Sequence, residues 1–398
     1  MKQLYFDFID SLRSIDKVVL VFVLMQFTKA VGFLPFFPDF IGHVVMLSMS
    51  MYVIFKMDGF SVKMLTILLY MIFNILNCSP NGIFNPWLRF ALFVVLLIAV
   101  SPLVQSKYLR VLRRDMLNAV LWIASVLSVL SFFCRFLGIN FMLGITNSDY
   151  NTAGTFAGLF VQSMMLGPVA GISTVFLAYQ AYVSEIKTTK KWYLAASLAC
   201  FAAVAFSASR SALLATITGV TFMLMKAIND GQKFFKILAS IWIIASLTFP
   251  IWGSALDGII EKNNNNIIAG KSFYSREKKW NARITEFKSN PMFGIGFSSV
   301  NPQLDEVGVG GTVEPGSSWL AILSMSGIIG CGLFLMIFWN GYNACNQLYD
   351  PDDALLLGLL ILFAVHMIAE GYVFAAGSFL CFLLWLIVGC CIDRKYEY

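Results

Sequence analysis
Long apolar runs separated by short polar breaks occupy nearly the whole chain. They fall at about 18–37, 40–57, 62–78, 88–104, 117–137, 158–182, 192–207, 211–227, 234–252, 317–340, 354–371 and 375–391. A helix needs about 20 apolar residues to cross the hydrocarbon core, and only helices or closed barrels satisfy their backbone there. The pattern predicts an all-α, polytopic integral membrane protein with about twelve transmembrane helices and one long extracytoplasmic loop. Runs shorter than a perpendicular crossing read as tilted, kinked or half-inserted. The single long interruption divides the chain into 1–252, 253–316 and 317–398.

That interruption is the only long segment that has to live in water. Its first part carries Asn263 through Asn266, a flexible polar tract. A basic stretch follows in which Trp280, Ile284 and Phe287 fall at i, i+4 and i+7, one face of a helix. Arg276, Lys279 and Arg283 lie on the same turns, and Pro291 ends the helix after Asn290. A turn with Gly294 and Gly296 comes next, then a polar loop, then Gly316-Ser317-Ser318 at the mouth of an apolar helix. Two further outer loops have character: the tight turn Cys78-Ser79-Pro80-Asn81-Gly82, and the stretch from Gly144 to Gly154.

Composition agrees with the pattern. The 398 residues are 59% hydrophobic and 13% charged, where soluble domains carry about 25% charged residues. The net charge of +6 is scattered at helix ends, which argues against nucleic acid as a partner. The eight cysteines lie in or beside apolar runs with no CxxC, so neither a disulfide framework nor a metal site is indicated. No basic-then-apolar leader with a small-residue cleavage site opens the chain, so its first segment is expected to be retained. Lys2, Arg13 and Lys17; Lys107, Arg110, Arg113 and Arg114; Lys187, Lys190 and Lys191; Lys226, Lys233 and Lys236; and Arg394 with Lys395 cluster at alternate breaks. The other short loops hold only Arg89, Arg135 and Arg210. The positive-inside rule then places both termini in the cytoplasm and the long loop outside.

Three groups carry candidate chemistry. Arg210 sits between Ser209 and Ser211 in a hairpin turn joining two apolar runs. It is either a snorkelling or paired arginine, or an anion ligand helped by those hydroxyls and by a helix N-terminus. Arg276 and Arg283 either belong to a solvated helix face or bind phosphate bidentately, which lysine does not do; Lys278, Lys279 and Lys288 suit lipid headgroups. His366 and Glu370, at i and i+4, read either as a structural pair or as a general base or proton relay. The other histidine, His43, reads as a packed residue. No GxxxxGK[ST], HExxH or acidic metal cluster occurs. No cofactor is expected, and the energy of any reaction has to arrive with the substrate. Transport by a proton-coupled carrier is a competing class, although the late position of the loop argues against two matched halves.

Several of these stretches, in order, resemble the bacterial O-antigen ligase and polysaccharide polymerase superfamily: Ser207-Ala208-Ser209-Arg210-Ser211; Arg276 with Trp280; Asn290-Pro291-Met292-Phe293-Gly294-Ile295-Gly296-Phe297; Ser326-Gly327-Ile328-Ile329-Gly330; and His366, Glu370, Gly371 and Tyr372 before a span with Trp385. The resemblance covers about 200–390. Ligases of that superfamily carry a His-Asn or similar pair where this chain has Gly316 and Ser317, so the likeness is greater to polymerases of O-antigen, capsule or exopolysaccharide repeat units.

The resemblance implies a metal-independent glycosyltransferase of the bacterial inner (plasma) membrane. Its substrate is a glycan on undecaprenyl pyrophosphate, whose pyrophosphate is the leaving group; O-antigen ligation and flipping of a lipid-linked glycan are the alternatives. It further implies membrane lipid, a chain-length regulator and a flippase as partners, and no nucleic acid. On this reading Arg210, Arg276 and Arg283 hold the diphosphate, with Ser209 and Ser317 beside them. Trp280 stacks on sugar or covers lipid, and Glu370 or His366 accepts the acceptor proton.

Overall fold
The computed structural model describes residues 9, 13, 15–34, 39–78, 85–142, 156–228, 230–236, 276–304, 315–347 and 350–396. In chain order the helices are α1 (Lys17–Phe27), α2 (Asp39–Ile54), α3 (Val62–Cys78), α4 (Pro86–Val100), α5 (Lys107–Phe136), α6 (Ser163–Val183), α7 (Lys187–Phe206), α8 (Arg210–Ala227), α9 (Glu277–Ser289), α10 (Ser318–Gln347), α11 (Pro351–His366) and α12 (Phe379–Asp393). A short antiparallel ribbon, β1 (Gly59–Phe60) on β2 (Val104–Gln105), pairs Gly59 with Gln105. The first eight apolar runs and the last three each coincide with a helix. Most of the ninth, the Asn263–Asn266 tract, residues 79–82 and the Gly144–Gly154 loop lie outside the described residues. Helices α5, α6 and α10 are long and apolar enough to cross a membrane; α1, α2, α3, α4 and α12 are apolar but shorter. The architecture is almost entirely helical, and by length three of the described helices are long enough to cross.

The chain divides into two compact units that interleave along the sequence. The first comprises Met1–Phe36, Met116–Phe273 and Cys345–His366; the second comprises Phe37–Asp115, Tyr274–Ala344 and Met367–Tyr398. In the first, α6, α7, α8 and α11 pack on one another. Helices α8 and α11 meet backbone to backbone: a Cβ on Gly358 would stand 2.8 Å from the Gly219 carbonyl oxygen. Small residues at such crossings gain close packing where no hydrophobic drive exists between helices. Buried hydroxyls bond one turn back, as Ser173 does to Val169 O (2.8 Å) and Thr216 to Ala212 O (2.7 Å), so neither of these two is left unpaired.

The second unit is built on α12, buried from Phe379 to Cys391. Around it Phe93, Phe297, Phe334, Phe374 and Trp385 form a ring cluster with centroids 5.1–6.2 Å apart. At the far end of α12, Asp393 takes a bidentate pair from Arg113, with Nε to Oδ2 at 2.6 Å and Nη2 to Oδ1 at 2.9 Å. Arg113 is 1% exposed. It is thus a neutralised internal group and not one of the basic residues at a membrane face among which the charge pattern places it.

The same unit contains a broken helix. Gly327 interrupts α10 with φ 64° and ψ −168°, which releases backbone groups in apolar surroundings. The turn after α9 takes them up. Ile295 and Gly296 N–H donate to Ser324 O (2.9 Å) and Met325 O (3.1 Å), and Ile328 N–H donates to Pro291 O (2.9 Å). Asn74 of α3 clamps the turn, its Nδ2 donating to Phe293 O and its Oδ1 accepting from Phe297 N–H, both at 2.5 Å. Tyr70 donates to Ser326 O. A Cβ on Gly327 would stand 2.3 Å from Met292 O, whereas one on Gly332 of the same helix meets nothing within 4 Å. Gly327→Ala therefore combines a left-handed φ, costing about 1–2 kcal/mol, with a backbone collision, and is expected to lower the unfolding temperature in detergent. Gly332→Ala is expected to leave it unchanged or raise it.

Candidate functional site
Helix α9 begins after Arg276 and ends at Asn290 ahead of Pro291, as the sequence predicts. The face it buries differs from the predicted one. Ala282, Arg283 and Glu286 are buried, Trp280 and Phe287 are half-buried, and Ile284 is 37% exposed. The reason is electrostatic. Arg283 Nη2 lies 3.0 Å from Glu286 Oε1 on the next turn, and that oxygen also accepts from Asn301 N–H at 2.7 Å. Two charges that cancel go inside together, and apolar periodicity by itself does not register this. The structure thus gives Arg283 a carboxylate partner within its own helix.

Arg276 and Trp280 converge on the turn before α10. Arg276 Nη1 (3.2 Å) and Trp280 Nε1 (3.0 Å) both donate to the Gly316 carbonyl, and Arg276 Nη2 reaches Glu370 Oε1 at 2.5 Å. Gly316 has φ +75°, and a Cβ there would press on Lys279 Cβ at 2.9 Å; glycine lets the turn lie against α9. Ser317 is the N-cap of α10, accepting from Leu320 N–H (3.3 Å) and donating to Met367 O (3.3 Å).

Glu370 is held by its own backbone. The chain leaves helical geometry after His366, so His366 and Glu370 do not share one helical face as their spacing predicts. Beyond that point the carbonyls of Met367 and Glu370 accept from Ser318 N–H (2.9 Å each). The Ser318 hydroxyl donates to Glu370 O (2.6 Å) and accepts from Tyr372 N–H (3.0 Å) and Val373 N–H (3.3 Å). These tertiary bonds replace the helical ones. Burial, reinforced by the Glu370 carboxylate, pushes the Tyr372 phenol well above its ordinary value and keeps it neutral.

The second unit therefore brings Arg276, Trp280, Ser317 and Glu370 together. Ser318, which the sequence reading passed over in favour of its neighbour, anchors the segment that carries the carboxylate. Its available signal was the second serine of a Gly-Ser-Ser helix start.

Arg210, Ser209 and His366 belong to the first unit. Arg210 is the exposed first residue of α8, and Ser209 is the N-cap, accepting from Ala212 N–H at 3.3 Å and lying 3.2 Å from the Ser211 hydroxyl. The turn is pressed on α6: a Cβ on Gly167 would come 2.8 Å from Ala212 Cβ and 3.2 Å from Ser209 Cβ. His366 is buried at the last turn of α11. Among the site residues, Ser318→Ala is expected to cost about 1–3 kcal/mol, because it orphans buried backbone groups. Ser317→Ala is expected to cost about 1 kcal/mol as a lost cap. Unfolding of the purified variants in detergent measures both.

Residues 195–335 match the family model described as O-antigen ligase. A search of curated proteins gives no match. The matched stretch contains Ser209, Arg210, all of α9 with Arg276, and the Gly316–Ser317 turn, while His366 and Glu370 lie beyond it. Over this stretch the chain is similar to the O-antigen ligase family, and its long apolar helices together with the match indicate a membrane protein.

Proposed function
We propose that the protein polymerises glycan repeat units carried on undecaprenyl diphosphate at the outer face of the bacterial inner membrane. Both termini are then cytoplasmic, and the chain crosses about twelve times. The observation that carries this reading is the Arg276–Glu370 pair at the mouth of α10, 26% and 9% exposed in its side chains. A cation suited to phosphate and a carboxylate suited to proton transfer sit within one bond of each other.

The reaction follows from that juxtaposition. The donor's diphosphate competes with Glu370 for the Arg276 guanidinium, which binds phosphate oxygens in a bidentate fork. A carboxylate that loses its cationic partner becomes a stronger proton acceptor. Glu370 then takes the proton of the acceptor hydroxyl as that oxygen bonds to the donor's anomeric carbon. The bond from that carbon to the diphosphate breaks, and undecaprenyl diphosphate leaves with the electron pair, its charge held by Arg276. Trp280 offers a ring to sugar or lipid, and Ser317 a hydroxyl beside the reacting groups. Arg210, with Ser209 at the start of α8, is proposed as an anion ligand of the first unit. Arg283 is assigned to holding α9 through Glu286, and His366 to packing.

Ligation is the second reading, favoured by the description of the matching family; it differs only in the acceptor. Reconstituted protein given purified lipid-linked repeat units distinguishes the two. A ladder of longer lipid-linked glycans supports polymerisation, transfer only to a lipid A–core acceptor supports ligation, and movement across the bilayer without transfer refutes both. Arg276→Ala is expected to lower turnover about 10²-fold or more, with Arg276→Lys recovering little of it. Glu370→Gln is expected to lose about 10²–10⁴-fold in turnover while retaining donor binding. Arg210→Ala is expected to weaken donor binding. Wild-type turnover in both the Arg276→Ala and Glu370→Gln proteins, at unchanged expression, would remove the pair from the reaction.

A further inference from the structure
At one end of the first unit a cation stands among aromatic rings. Arg135, in the last turn of α5, places its guanidinium carbon 5.7 Å from the centroid of the Phe156 ring and 5.8 Å from that of Phe206. Both distances lie in the range where ring faces attract a cation, a contact that uses its charge and leaves its N–H donors unspent. Those donors make no hydrogen bond or ion pair among the described residues, and Arg135 is exposed. Arg113, Arg276 and Arg283, by contrast, each meet a carboxylate.

Each of the two rings is fixed by its own surroundings. Phe206 lies nearly parallel to Phe132 of α5, with centroids 6.1 Å apart and planes at 13°, and meets Phe156 at 90° and 6.3 Å. Phe156 is buried, and the segment after it is bonded to the end of α5. Leu159 N–H donates to Ser131 Oγ (3.2 Å), Ala157 N–H to Asn140 Oδ1 (3.1 Å) and Phe141 N–H to Gly158 O (2.8 Å). Gly158 has φ +57°, and a Cβ there would stand 2.6 Å from Ser131 Cβ, so glycine lets the segment press on the helix. Around the cation the apolar side chains Phe133, Phe136 and Leu137 are exposed. The 30 residues of α5 span about 45 Å, the thickness of a bilayer with its headgroups, which sets the last turn at headgroup level. A solvated arginine needs neither ring. A donor fork held between fixed rings and bare apolar side chains matches a ligand that joins an anion to hydrocarbon.

We infer that Arg135, held between Phe156 and Phe206, is the phosphate ligand of a lipid-binding site on the first unit. Its guanidinium takes two phosphate oxygens in a fork, and the exposed apolar side chains beside it carry the adjoining chain. Phe206 also opens the turn that ends in Arg210, the residue already assigned to an anion in this unit. The phosphate belongs either to a prenyl diphosphate or to a phospholipid headgroup, since both present the same oxygens. The site rests on the cation and its rings and does not depend on the transfer reading, which turns on Arg276 and Glu370.

The test titrates the full chain in detergent with farnesyl diphosphate, short-chain phosphatidylglycerol and uncharged farnesol, and reads binding by calorimetry. Arg135→Gln is expected to weaken at least one phosphate probe about tenfold or more, with farnesol binding and the unfolding temperature unchanged. Arg135→Lys keeps the charge and loses the fork, and is expected to recover little of the affinity. Loss confined to farnesyl diphosphate assigns the site to a prenyl diphosphate, loss confined to phosphatidylglycerol assigns it to a headgroup, and loss of both assigns it to lipid phosphate in general. Wild-type affinity for both probes in Arg135→Gln overturns the site, as does full recovery in Arg135→Lys or failure of the wild-type chain to bind either probe. Farnesyl diphosphate binding that survives Arg135→Gln but falls in Arg276→Gln, with phosphatidylglycerol binding unchanged in both, overturns this site and leaves the transfer reading standing.

Discussion
Backbone polar groups freed inside an apolar helix have to be bonded again, and the rest of the second unit depends on how that is done at Gly327. Water is scarce at such depth, so an unsatisfied N–H or C=O costs several kcal/mol. The Pro291–Gly296 turn supplies the missing partners from a different segment of chain. It makes the break in α10 and the turn after α9 one structural feature. Asn74 and Tyr70 of α3 close it from the other side.

The consequence reaches the site. Helix α9 is tied at its C-terminal end to the break at Gly327 and at its N-terminal end to the Gly316 carbonyl, through Arg276 and Trp280. Its 13 residues span about 20 Å, and the stretch of α10 from Ser318 to Gly327 about 15 Å. Helix α9 is therefore fixed at both ends, to the turn before α10 and to the break one third of the way along it. Of its two arginine–glutamate pairs, Arg283–Glu286 is wholly inside. Removing one partner of such a pair strands a charge and costs about 3–5 kcal/mol, whereas a partly exposed pair exchanges partners more readily. Burial thus separates the arginine inside the helix from the partly exposed one that the proposed reaction uses.

Much of this was legible in the sequence where the signal is local. Apolar run length placed the helices, Pro291 marked the end of α9, and Gly-Ser-Ser marked the start of α10. Arg276, Trp280, Ser317 and Glu370 were singled out by residue type, and the structure gathers them. What periodicity missed depends on partners far away in sequence. The buried stripe of α9 is charged because Glu286 cancels Arg283, and Arg113 is internal because Asp393 waits 280 residues later. The i, i+4 spacing of His366 and Glu370 failed because Ser318 takes the carbonyls that a continuing helix would have used.

Competition for one guanidinium orders the proposed reaction. While Glu370 holds Arg276, the carboxylate is a poor base and the cation is shielded, so an acceptor arriving first finds no strong proton acceptor. A diphosphate that displaces Glu370 changes both groups at once, and linkage makes the effect reciprocal: a carboxylate engaged with an acceptor proton competes less well for Arg276 and tightens the hold on the donor. The backbone bonds from Ser318 to Glu370 O, Tyr372 N–H and Val373 N–H keep the segment in place during that exchange. Only the side chain has to move. A pair separated by one 2.5 Å bond and anchored independently on each side is suited to switch partners without disturbing the helices that carry it.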